Sequence, residues 1–76
     1  MILLETSVRE TTLAQNILSD VRLESIFDLS IEQQASNVWL LNPEFAFDDE
    51  MLELTEDIRN ILTQSGLREF ELNIQN

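Results

Sequence analysis

The side chains in this sequence best suited to chemistry are carboxylates, and they crowd together at Asp48, Asp49, Glu50, Glu53, Glu56 and Asp57. Paired carboxylates can cleave glycosidic bonds, one as acid and one as base or nucleophile. Clustered ones can hold a hard cation such as calcium or magnesium. Neither chemistry is developed further by the rest of the chain. A glycosidase needs a deep cleft, which 76 residues do not build alone. The twelve-residue calcium loop, with its alternating acids and central glycine, is absent, and the same spacing serves an acidic helix start. No histidine, cysteine, lysine or tyrosine occurs, so the usual general bases, nucleophiles and Schiff-base formers are missing. Serines and threonines are present without a base to activate them. A single glycine rules out a glycine-rich phosphate loop. The expectation is a protein that is not an enzyme and that takes no cofactor and no metal.

Charge narrows the partners. Fifteen acids face four bases, all arginine (Arg9, Arg22, Arg59 and Arg68), for a net charge of −11. Such a chain is repelled by phosphate backbones and by anionic lipid, which argues against direct nucleic-acid or membrane binding. It is attracted instead to a protein with a basic surface. Solubility or adaptation to high salt would account for the same composition. The absence of cysteine excludes disulfides and thiolate metal sites. The opening Met-Ile-Leu-Leu-Glu has no basic segment and no long apolar run, so it does not read as a secretion signal, and no stretch is apolar enough to span a bilayer. A cytoplasmic location is the expectation.

The elements that would carry these side chains can be read in order. Residues 1–5 form a short apolar run, either a strand or the start of a helix. Ser7 and Glu10 fit a capping box, which starts a helix near Ser7 whose stripe is Val8, Leu13, Ala14, Ile17, Leu18 and Val21. Val21, Leu23, Phe27, Leu29 and Ile31 alternate with Arg22, Glu24, Asp28, Ser30 and Glu32, which predicts a long half-buried strand. Ile26 and Ser25 break that alternation. A polar loop over Gln33–Asn37 leads to the apolar run Val38-Trp39-Leu40-Leu41, ended by Asn42-Pro43. A second helix follows, capped by Asp48 or Asp49, with the stripe Met51, Leu54, Ile58, Ile61 and Leu62, and stopped at Gly66. The chain then alternates Phe70, Leu72 and Ile74 against Glu69, Glu71 and Asn73, a clear strand pattern.

This order predicts one α+β domain over residues 1–76. It would be a two-layer sandwich of the split βαβ, ferredoxin-like kind (β-α-β-β-α-β), with a four-stranded antiparallel sheet and two helices on one face. A longer N-terminal helix with three strands is the competing arrangement. In the four-stranded sheet the first and third strands are central, and both are apolar throughout, so the face away from the helices should be apolar as well. Either Trp39 and Leu41 or Val38 and Leu40 then point outward, as a surface for homodimerisation or for docking an adaptor, regulatory or inhibited partner. Trp39 filling the core is the opposing reading. Glu50, Glu53, Glu56 and Asp57 would form an acidic helix face that steers a basic partner. It would alternatively act as a polyanion mimic, since acids one helical turn apart are about 5–6 Å from each other, close to the spacing of phosphates along a nucleic-acid strand. An ordinary solvated helix face explains the same residues. A small-ligand regulatory domain is a third reading, weakened by the scarcity of loop glycines.

Overall fold

The computed structural model describes residues 1–44 and 47–75. Strand β1 (Ile2–Thr6) leads through a 3-10 turn (Val8–Glu10) into α1 (Thr11–Val21) and the short α2 (Leu23–Phe27). Strands β2 (Leu29–Ala35) and β3 (Val38–Pro43), helix α3 (Asp48–Gln64) and strand β4 (Phe70–Ile74) complete the order. The four strands form one antiparallel sheet in the order β2-β3-β1-β4. The apolar segments β1 and β3 are thus central, and the acid-bearing β2 and β4 are the edges, where charge discourages pairing with another chain. Residues 2–6 are a strand, which excludes the three-stranded alternative.

Pleating decides what is buried. Ile2 and Leu4 of β1 lie opposite Leu41 and Trp39 of β3, and Leu4 is also opposite Leu72 of β4. All five are buried, and they join Ala14, Ile17 and Leu18 of α1, Leu23 of α2 and Met51, Ile58 and Leu62 of α3 in a single core. In α3 the buried positions Met51, Thr55, Ile58 and Leu62 follow the 3.6-residue period. Thr55 is tolerated among them because its hydroxyl donates to the Met51 carbonyl at 2.7 Å.

The most extensive correction concerns Val21–Glu32, which is not one strand. Leu23 and Phe27 belong to α2, and the strand begins only at Leu29. Arg22 and Asp28, at either end of α2, take left-handed conformations with φ of 58° and 50°. Those two residues turn the chain from α1 into α2 and from α2 into β2. The strand then runs on through most of the expected loop, to Ala35, with an irregularity between Gln33 and Ala35. Only Ser36 and Asn37 connect it to β3. Asn37 closes this hairpin against the end of β1. Its side-chain amide donates to the Thr6 carbonyl at 2.8 Å, and the Thr6 N–H donates to the Asn37 carbonyl at 2.9 Å.

The capping box at Ser7 does not form. Ser7 makes no side-chain cap. Its hydroxyl donates to a Glu69 carboxylate oxygen at 3.4 Å. Glu10 instead accepts from the backbone N–H groups of Arg68, at 2.9 Å, and of Glu69. The first turn of the helical region is thereby tied to the segment that enters β4. Val8, placed on the buried stripe by its spacing, is exposed, because the first turn is 3-10 and α1 begins three residues later. Helix α3 is likewise preceded by Phe47, without a side-chain cap, and Asp48, Asp49 and Glu50 occupy its first turn. There they still favour the positive end of the helix dipole.

The exit of α3 agrees with its sequence. Gly66 has φ of +107°. The Gly66 N–H donates to the Thr63 carbonyl and the Leu67 N–H to the Leu62 carbonyl, a Schellman closure sealed by the fully buried Leu62 and Leu67. A Cβ at Gly66 would meet nothing within 4 Å. Gly66→Ala should therefore cost only the backbone strain, about 1 kcal/mol in urea unfolding. A second expectation concerns Thr6, whose buried hydroxyl has no hydrogen-bond partner. Thr6→Val keeps the branched shape and removes the orphan, and should stabilise the fold by about 1 kcal/mol in the same measurement.

Candidate protein-binding surface

Odd-numbered residues of β1 and even-numbered residues of β3 point away from the core. Leu3 lies directly opposite Leu40, and Glu5 directly opposite Val38. Leu3, Val38 and Leu40 are half-buried although no core residue faces them. Around this apolar centre the register places Glu32 beside Leu40, Asn73 beside Leu3, and Glu71 beside Glu5. Glu5, Glu32, Glu71 and Asn73 are all exposed. The uncovered sheet face thus has a small apolar middle and an acidic surround, with no base on the strands that form it.

Of the two orientations open for β3, Val38 and Leu40 point outward. Trp39, 3% exposed, and Leu41, fully buried, belong to the core and are not surface anchors. Their cross-strand neighbours Leu4 and Ile2 are themselves covered by the helices, which fixes the orientation of the whole strand. A local signal for it was available. Asn42 shares the phase of Val38 and Leu40, and a polar side chain on one phase marks that phase as the wet one. Leu3 is the part of the apolar Ile2–Leu4 run that faces outward, as the sequence reading expects, and Glu5, Glu32 and Glu71 join the surface unannounced by it. Each carboxylate does sit on the polar phase of its strand, but only the register brings them around one patch.

The acidic helix face lies elsewhere. Glu50, Glu53, Glu56 and Asp57 are exposed on α3, whose buried stripe faces the helix-covered side of the sheet. They therefore do not share a surface with Val38 and Leu40. Glu56 pairs with Arg59, the one salt bridge among the described residues. Glu50, Glu53 and Asp57 instead line a groove of about 370 Å³ with Leu54, Phe27, Pro43 and a carboxylate that the helix alone does not reveal, Asp28 at the end of α2. A second depression, of about 780 Å³ between α1, α2 and β2, is mostly polar, lined by Gln15, Asn16, Arg22, Glu24 and Gln33 together with Trp39.

Among the described residues no group of three or more carboxylates is arranged to hold a metal ion. No described helix is long and apolar enough to cross a membrane. The chain matches no protein-family model, no characterised relative and no solved structure.

The two phases of β3 should respond oppositely to substitution. Trp39→Ala should cost about 3–5 kcal/mol, a large share of the stability of a domain of this size. Leu40→Thr, which keeps a strand-forming side chain on the open face, should cost less than about 1.5 kcal/mol. Urea denaturation followed by tryptophan fluorescence for Leu40→Thr, and by circular dichroism for Trp39→Ala, measures both.

Proposed function

We propose that this chain is a small acidic protein-interaction module without catalytic activity, which docks a basic protein on its open sheet face. The supporting observation is the Leu3–Leu40–Val38 centre, left uncovered by the helices and bordered by Glu5, Glu32, Glu71 and neutral polar residues, with no base on the strands around it. An apolar centre within a charged rim is how protein interfaces are built, and the sign of this rim selects a basic partner. Self-association through the same face is the weaker form of the reading. It would bring Glu5, Glu32 and Glu71 of one copy against those of another, with no arginine on the strands between them. The fold itself we read as ferredoxin-like, with α1 and α2 together standing where that plan has one helix. A cytoplasmic location is part of the same proposal.

A second reading rests on the groove beside α3. Glu50, Glu53 and Asp57 run along one flank of the helix and meet Asp28 there. That line of charge suits a polyanion mimic which occupies the binding site of a nucleic-acid-binding protein.

The two readings separate in a capture experiment with the full chain as bait. The wild type, a Val38→Thr, Leu40→Thr double variant and a Glu53→Lys, Asp57→Lys double variant are compared, and the captured proteins identified by mass. Loss of a basic partner with the threonine variant, and retention with the lysine variant, is the expected result. The reverse pattern, with binding that also collapses between low and moderate salt, would replace the sheet-face reading by mimicry. Light scattering should give a monomer mass at moderate salt, and a concentration-dependent dimer abolished by the threonine variant would restore the second copy as the occupant.

A further inference from the structure

The open sheet face carries a feature that its hydrophobicity does not explain. Glu5 of β1 and Glu71 of β4 are direct cross-strand partners, so two like charges stand opposite each other on the same side of the sheet. At about 5 Å between Cβ atoms such a pair destabilises the sheet. Among the described residues no salt bridge relieves it. The pair opens onto a groove of about 470 Å³ that Ser7, Arg68 and Glu69 also line. Arg68, the base nearest in sequence, pairs with none of these acids. On the other side of Glu5 lies Val38, at the edge of the apolar centre.

Resting on the sheet-face reading, we infer that Glu5 and Glu71 receive an arginine or lysine from a basic amphipathic helix laid across the open face, with its apolar stripe on Leu3, Val38 and Leu40. A cation between the two carboxylates turns their mutual repulsion into two attractions, and a guanidinium can donate to both. The occupant is a helix because β1 and β3 are already hydrogen-bonded on both edges, β1 by β3 and β4 and β3 by β1 and β2. The face therefore offers side chains only. An extended segment would lay unpaired backbone N–H and C=O groups on Leu3 and Leu40, whereas a helix satisfies its own. The spacing agrees. Glu5 is two residues beyond Leu3 on β1, or about 7 Å. Neighbouring side chains one turn apart on a helix are separated by about 5–6 Å, so an apolar anchor and a cation one turn away can reach both places.

The probe is a synthetic eighteen-residue peptide of alanine, leucine and arginine, with leucines along one stripe and arginines one turn away. It is titrated into the isotope-labelled full chain and followed by NMR. Saturable shifts at Leu3, Glu5, Val38, Leu40 and Glu71 are expected. Glu71→Gln should weaken the peptide about fivefold to tenfold, as loss of one charge-assisted contact does. The same substitution should raise the melting temperature by about 2 °C, because it relieves the opposed pair. Higher stability with weaker binding is a combination that a merely structural role would not produce. Shifts on the sheet face with unchanged affinity in Glu71→Gln and Glu5→Gln would overturn the role of the pair and leave the sheet-face reading standing. Shifts confined to Glu50, Glu53 and Asp57 would overturn both. A peptide with serine in place of leucine that binds equally well, or an absence of saturable shifts, would overturn the amphipathic helix as occupant.

Discussion

The structure depends on the packing of Ile2, Leu4, Trp39 and Leu41 against the helices. Because side chains alternate along a strand, committing those four to the core commits Leu3, Val38 and Leu40 to the other side. Among the described residues nothing then covers them. A two-layer arrangement of this length has two elongated helices and a short one to spend, and all their buried residues join the core on one side of the sheet. The residual apolar centre of the open face is therefore a consequence of placing the apolar runs Ile2–Leu4 and Val38–Leu41 at the middle of the sheet. An isolated domain with no use for that face would be expected to alternate β1 and β3 as it alternates β4, where Leu72 is buried and Glu71 and Asn73 are exposed.

Electrostatics pulls against this packing. With −11 formal charges and one ion pair among the described residues, most carboxylates are left to solvent, and their repulsion loosens the compact state. Where acids have structural work the benefit is local. Glu10 accepts two backbone N–H groups from the segment entering β4, and Asp48, Asp49 and Glu50 complement the start of α3. Glu5 and Glu71 have no such role, and their register makes them costly to the free sheet. A destabilising pair beside half-buried apolar side chains on the same open face supports the proposed docking surface, at some expense to the isolated fold.

Much of the fold was legible because local and tertiary signals agreed. In α3 the apolar spacing, the acidic first turn and Gly66 all specify one helix with one exit. In β4 strict alternation does the same. The misreading of Val21–Glu32 has an equally physical origin. Leu23 and Phe27 are four apart, a multiple of the strand period and close to one helical turn, so both periods fit. The discriminating residues were Ser25 and Ile26, which break the alternation and are both exposed on α2. The left-handed turn at Arg22 leaves no trace in residue type, since arginine has no preference for that conformation, whereas Asp28 belongs to a residue type that adopts it more readily. For the surface, the sequence specified the apolar character of β3 but left its orientation to the register with β1. The acids around the patch come from three strands, and Asp28 meets α3 only through the tertiary fold.

The separation of the two acidic surfaces bears on how a partner would be drawn in. The Cα envelope measures 33 × 21 × 17 Å. Even its shortest dimension is about twice the screening length of about 8 Å at physiological ionic strength. Charges on the solvent side of α3 are thus largely screened from a cation approaching the opposite face of the sheet. In the proposed docking, steering to the sheet face would fall to the carboxylates that border it, Glu5, Glu32 and Glu71, while the groove of Asp28, Glu50, Glu53 and Asp57 would act on what touches the helix layer. The long-range attraction expected from the net charge would operate at low salt and fade as salt rises, whereas the proposed docking on Leu3, Val38 and Leu40 would persist, since hydrophobic contact is not screened. An interaction centred on the open face should accordingly keep most of its affinity in salt and lose mainly its association rate.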